Sequence, residues 1–220
     1  MILRLVVFDV DGTLVDSQAH ILGAMAQAFG GLGLEVPDRG AVLDIVGLSL
    51  PQAIARLAPA LGVREQAQLV DGYKNAYAAM RAQSLSPLYP GALAVLDRLA
   101  QDRSVILGIA TGKSRRGLVH LMAAHGWEGR FVTTQVADDH PSKPHPSMLH
   151  ACLRETGVAP EQTVMVGDTA YDMEMARAAG VHALGVGWGY HPADRLGARV
   201  IDQFSALPAA LADIWNERAA

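Results

Sequence analysis

Short apolar runs alternate along this chain with stretches whose apolar residues recur every three or four positions. The strand candidates are residues 3–9, 104–110, 162–167 and 182–187, with weaker ones at 130–134 and 199–201. Helical patterns cover 90–101, 114–125, 146–156, 170–179 and 206–218. Pro90-Gly91 opens the first of these, and proline is favourable in a first helical turn. Strand and helix in alternation predict an α/β fold: a doubly wound, Rossmann-like parallel sheet with helices on both faces.

One long segment departs from that rhythm. Between about residues 17 and 84 only helical patterns occur. Ile21, Leu22, Met25, Ala28, Phe29 and Leu32 mark one buried helical face. Further helices are expected at 38–46, 51–61 and 64–83. The expected organisation is an α/β core formed by 1–16 and 85–220, with 17–84 inserted as a separate helical domain. Its two connections, near Asp16–Ser17 and Ser84–Pro87, read as hinges.

Composition narrows the class. The chain has 220 residues, half of them hydrophobic and 18% charged, as in an ordinary globular protein. A formal charge of -4 gives no general attraction to nucleic acid or to an anionic membrane. No apolar run approaches the ~20 residues of a membrane span, and Asp9 and Asp11 interrupt the apolar N-terminus too early for a signal peptide. Cys152 is the single cysteine, which suits a reducing compartment, so a cytoplasmic location is expected. Lysine is scarce: Lys74, Lys113 and Lys143 stand against 15 arginines. A lysine inside a motif is therefore informative here.

Four places carry candidate chemistry. The first strand runs into Asp9-Val10-Asp11-Gly12-Thr13. If strand geometry persists, both carboxylates point to one side, where they repel unless one is protonated or a cation sits between them. A carboxylate can attack phosphorus, and a second can handle protons. The second strand ends in Thr111-Gly112, a hydroxyl and an N–H that can bind a phosphate oxygen at a helix entrance. Lys143 sits in Pro141-Ser142-Lys143-Pro144-His145-Pro146, whose prolines restrict the backbone around the ammonium. Val164-Met165-Val166-Gly167-Asp168 ends a buried strand, and Asp172 lies one helical turn on. Each alone has a bland explanation: an Asp/Gly turn, a helix cap, a solvated loop lysine, a capping aspartate. All four in this order do not.

In that combination the chain resembles the haloacid dehalogenase superfamily, subfamily I, with a helical cap inserted after the first strand. The closest likeness is to phosphoglycolate phosphatase-like members. It rests on Val7-Phe8-Asp9-Val10-Asp11-Gly12-Thr13-Leu14-Val15-Asp16-Ser17, Ala110-Thr111-Gly112-Lys113 and Val166-Gly167-Asp168-Thr169. The resemblance implies a phosphatase acting on a small phosphorylated metabolite through an aspartyl phosphate. It makes Asp9 the nucleophile and Asp11 the general acid/base. Thr111, the N–H of Gly112 and Lys143 would hold the phosphoryl oxygens. Mg²⁺ would be held by Asp9, the backbone carbonyl of Asp11 and Asp168, with Asp172 a ligand through water or a supporting partner. No nucleic-acid or membrane partner is implied, and the oligomeric state is left open.

Rival readings are weaker. A dehalogenase does not need an acid two residues after the nucleophile. A phosphonatase needs an early cap lysine, and Lys74 lies late. A β-phosphoglucomutase-like enzyme carries an arginine in the cap loop, absent from Val46-Gly47-Leu48-Ser49-Leu50-Pro51. A non-catalytic phospho-acceptor or binding protein has no such insertion or leaves intact catalytic positions unexplained. The histidines at 140, 145 and 150 have a spacing that does not align them on a helix face, and they read as loop or solvent residues. His20, just past the first hinge, is a candidate substrate contact.

Overall fold

A computed structural model describes residues 2–217. Six strands form one parallel sheet: β1 (Arg4–Phe8), β2 (Val105–Thr111), β3 (Thr133–Val136), β4 (Thr163–Gly167), β5 (His182–Val186) and β6 (Arg199–Ile201), in the order β3-β2-β1-β4-β5-β6. The chain builds outward from β1 in one direction, then returns to β4 and builds in the other. β1 therefore sits at the switch point, where open α/β sheets leave a crevice at the carboxyl ends of their strands.

Four helices precede β2: α1 (Gln18–Gly31), α2 (Arg39–Asp44), α3 (Leu50–Leu57) and α4 (Val63–Gln83). Around the sheet lie α5 (Ala92–Ala100), α6 (Arg115–His125), α7 (Ser147–Thr156), α8 (Ala170–Ala179), α9 (Ala193–Leu196) and α10 (Leu207–Asn216), with 3₁₀ turns at Pro160–Gln162 and Phe204–Ala206. The expected reach of the last helix to residue 218 lies outside the described residues.

Strand alternation sorts the core into two layers. Val6 and Phe8 of β1 pack on one face with Leu96 of α5, Leu118 of α6 and Leu211 of α10. Leu5 and Val7 face the other way, among Met148 and Cys152 of α7 and Met175 and Ala176 of α8. Helices α1 to α4 bury their own cluster, which includes Ile21, Met25, Phe29, Val42, Ile54 and Leu69. No helix among the described residues is long and apolar enough to cross a membrane.

Several boundaries move for local reasons. The weak strand expected at 130–134 is β3, at Thr133–Val136, and Val132 is largely exposed. The pairing of Gly108 with Thr133 sets its start, which the apolar Phe131-Val132 pair obscured. Helix α3 stops at Leu57 because Pro59 disfavours helical geometry at the residue before it. Pro90 lies outside α5, whose cap is Gly91 at φ 86°. The two connections to the helical block run side by side: the Asp16 N–H donates to Pro87 O (2.9 Å), the Tyr89 N–H donates to Leu14 O (3.0 Å), and Val15 bridges Leu88.

Candidate active site

Strand β1 stops at Phe8, and the Asp9 N–H still bonds the neighbouring strand at Val166 O (2.9 Å). Asp9 is therefore fixed at the strand end and almost fully buried. Beyond it the chain turns at Gly12, whose φ of 88° is left-handed. A Cβ there would stand 2.2 Å from Asp168 Oδ2, so a side chain at position 12 would collide with the site itself. Because of this turn, Asp11 does not continue the strand, and the two carboxylates go to different partners.

Asp9, Asp168 and Asp172 converge, with one carboxylate oxygen of each within 4.8 Å of the others. All three are buried. Thr169, not Asp168, caps α8: its hydroxyl accepts from the Asp172 N–H, and Asp172 Oδ2 accepts from the Thr169 N–H (3.1 Å) and hydroxyl (2.7 Å). That frees Asp168 to face the strand ends, where Oδ1 accepts from Thr13 Oγ1 (2.9 Å) and Oδ2 from the Tyr190 N–H (2.9 Å). Lys143 Nζ donates to Asp172 Oδ1 at 2.6 Å and lies 2.9 Å from Asp9 Oδ1. The contact to Asp9 is an ion pair on Oδ1, and Asp9 Oδ2 is buried with no hydrogen-bond partner among the described residues.

The charges do not balance. Three buried carboxylates share one ammonium. Burial, opposed by Lys143, pushes the Asp9 carboxyl up to about 7, and burial together with Asp9 and Asp172 raises Asp168 as well. Burial alone would lower Lys143, but Asp172 and Asp9 outweigh it and hold the ammonium charged. This donor set suits a hard divalent cation: Asp9 has lone pairs to spare, and Asp168 keeps capacity on both oxygens. Asp172 also offers a carboxylate oxygen to this cluster, and its contacts with Lys143 and Thr169 aim the lysine.

Asp11 belongs to a second group. Its Oδ1 accepts from Ser17 Oγ (2.5 Å) and pairs with Lys113 Nζ (2.9 Å). Ser17 Oγ is also 3.2 Å from Tyr190 OH. Lys113 reaches across to α4, where it donates to Tyr77 OH (3.3 Å). Sequence reasoning quoted Lys113 within a motif but assigned it nothing. The scarcity of lysine was the signal, since two of the three lysines stand at carboxylates Asp9 and Asp11. The Tyr190 contact with Asp168 is made by a backbone N–H, which leaves no side-chain signal in the sequence, while its hydroxyl lies beside Ser17.

Thr111 ends β2, buried, and Gly112 follows ahead of α6, which Ser114 caps by accepting from the Gly117 N–H (3.1 Å). A Cβ on Gly112 would lie 2.6 Å from Gly47 O and 2.7 Å from Leu48 O. The loop between α2 and α3 thus rests directly on this glycine, and the Ser49 N–H donates to Ser142 Oγ (2.7 Å) beside Lys143. Asp9, Asp11, Thr111, Gly112 and Lys113 all line one cavity of about 650 Å³ between the helical block and the sheet. His20 does not line it. Its ring nitrogens bond Ser84 Oγ (2.9 Å) and Ser86 Oγ, tying α1 to the second connection. His140 bridges Gln135 Oε1 and Ser147 Oγ (2.8 Å each) and braces the loop that carries Lys143.

Known proteins give the same picture. A probable phosphatase, IndB, of Dickeya dadantii is 35% identical over 92% of this chain and 91% of its own length. A phosphoglycolate phosphatase of Rhodospirillum rubrum is 33% identical over 93% of this chain and 89% of its own. The solved structure of a haloacid dehalogenase-like hydrolase from Streptococcus pneumoniae superposes with a TM-score of 0.82 at 26% identity, covering 94% of this chain and 98% of that one. The haloacid dehalogenase-like hydrolase family itself matches residues 6–186. With the sheet order, the buried aspartates and these relatives in agreement, the chain belongs to the haloacid dehalogenase-like hydrolases.

Proposed function

We propose that the protein is a Mg²⁺-dependent phosphatase of the cytoplasm that hydrolyses a small, phosphoglycolate-like phosphomonoester through an aspartyl phosphate on Asp9. The observation that carries this reading is the Asp9 carboxylate. Both of its oxygens are buried at the floor of a cavity, Oδ1 paired with the Lys143 ammonium and Oδ2 without a hydrogen-bond partner among the described residues. A carboxylate so placed is desolvated and free to attack.

Phosphate ester hydrolysis is slow chiefly because an anion must meet an anion. Mg²⁺, held by Asp9, the Asp11 backbone carbonyl and Asp168, would neutralise charge on nucleophile and phosphoryl oxygens. Lys143 supplies a fixed positive charge at Asp9, aimed by Asp172. The Thr111 hydroxyl and the Gly112 N–H take the remaining phosphoryl oxygens. Asp11 gives a proton to the departing oxygen, then takes one from the water that hydrolyses the aspartyl phosphate. Residues 17–84 act as a cap on the core of 1–16 and 85–220, closing over the substrate and opening for product release. A mutase is disfavoured because the loop seated on Gly112, Val46–Pro51, offers no arginine for a second phosphate.

The test is inorganic phosphate release from a panel of phosphomonoesters that includes phosphoglycolate, with and without Mg²⁺, by the wild type and Asp9→Asn. Release that requires Mg²⁺ and is lost in the variant is expected. Folded protein that releases phosphate from no ester would end the proposal.

A further inference from the structure

The floor at Asp9, Thr111 and Gly112 is enough for a phosphoryl group, yet the cavity extends to about 650 Å³. That is the size of site that encloses a drug-sized ligand, far more than a two-carbon acid needs. The remaining space must take the leaving group, so its walls describe that group.

Two chemistries line it. One wall is apolar, with Ile21 and Met25 of α1, Ile45, Val46 and Leu48 of the loop between α2 and α3, and Ala53 of α3. The other is cationic: Lys74 and Arg81 on α4 and Lys113 and Arg116 on the core side. Lys74 and Arg81 are seven residues apart, two helical turns, and so share a face. On the same helix Tyr73 stacks on Tyr77 with ring centres 5.8 Å apart, and Lys113 Nζ lies 5.0 Å from the Tyr77 ring centre. The acids lining the cavity are already engaged: Asp9 faces Lys143, Asp11 faces Lys113, and Asp138 accepts from the Arg115 N–H. Among the described residues, no carboxylate comes within 4.0 Å of a side-chain nitrogen of Lys74, Arg81 or Arg116. Like charges gathered around a partly apolar cavity repel one another until an anion enters.

Resting on the phosphatase reading, we propose that the leaving group is an organic acid with an apolar or aromatic body. Its carboxylate is held by Lys74 and Arg81, and its body lies against the Tyr73–Tyr77 pair and the apolar wall. Lys74 and Arg81 are specificity residues: they touch the leaving group and not the phosphoryl group.

Matched esters test this. Para-carboxyphenyl phosphate is compared with para-hydroxymethylphenyl phosphate, and phosphoglycerate with glycerol phosphate, using wild type and the Lys74→Gln/Arg81→Gln double variant. The expected kcat/KM is at least about tenfold higher for the acid of each pair. The double variant should lose about that factor for the acids, through KM, while the neutral esters keep their rates. The aromatic acid should also outperform phosphoglycolate. Equal rates within each pair, or an equal loss for both members in the variant, would overturn the inference while leaving the phosphatase intact. A protein inactive even on para-nitrophenyl phosphate would fail at the phosphatase reading, and this inference would fall with it.

Discussion

The two sides of the cavity differ in how tightly they are built. On the core side, the ends of β1 and β4 and the Lys143 loop deliver side chains whose partners are fixed. Asp168 is held by Thr13 and Tyr190, Asp172 by Thr169 and Lys143, and all but the half-buried Tyr190 are buried. On the α4 side, Lys74 is exposed, Arg81 is half-buried, and neither has an ion-pair partner among the described residues. A pre-organised floor suits bond-making and bond-breaking, where small misplacements are expensive. A loosely held wall suits selection, because its side chains can change without disturbing the floor.

The largest expected effect is on the floor. Lys143→Ala leaves Asp9 and Asp172 buried without their cation. It should destabilise the fold by about 3–5 kcal/mol in Mg²⁺-free buffer and abolish turnover. Denaturant unfolding with and without Mg²⁺ checks this. A variant as stable as wild type would show that the triad is not the tightly coupled unit described here.

Gly112→Ala probes the seam between the two sides. The added methyl meets two backbone carbonyls of the loop that rests there, and only movement of that loop relieves the clash. Activity should fall about 10- to 100-fold and stability by about 1–3 kcal/mol. Steady-state kinetics beside a thermal melt separate the two. Unchanged kinetics would mean that the loop need not sit on Gly112 during turnover.

A smaller effect is expected from pH. Burial raises Asp9 to about 7 and raises Asp168 too, so in the cation-free protein their charged forms are disfavoured relative to the unfolded chain. This contribution to stability is present below the ordinary carboxylate range and is lost as pH rises through about 7. Mg²⁺ competes with those protons and should bind more tightly as they leave. The rise in Tm on adding Mg²⁺ should therefore be several degrees larger at about pH 8 than at about pH 5.5. An increment independent of pH would place the cation elsewhere.

The comparison also explains what could be read from sequence. The core strands are apolar runs closed by Asp9, Thr111 or Asp168, so local pattern located them and the floor together. β3 was misplaced because Phe131-Val132 looks more strand-like than the Thr133-Thr134 pair that register with β2 selects. The Asp11–Lys113 pair was invisible because it joins residues far apart in the chain and depends on the turn at Gly12. Nor does the sequence rank the cations of the helical block: Lys74 and Arg81 of α4 line the cavity, whereas Arg56 of α3 donates to Tyr171 OH. His20, a candidate substrate contact by sequence, bonds the serines of the second connection rather than lining the cavity.

The central claim is that Asp9 carries the phosphoryl group. Rapid acid quenching of enzyme turning over its best ester with Mg²⁺, followed by peptide mass mapping, tests it directly. The account predicts one added phosphoryl group on the peptide containing Asp9, absent without Mg²⁺ and absent in Asp9→Asn. A phosphoryl group found on another residue, or full turnover by Asp9→Asn, would contradict it.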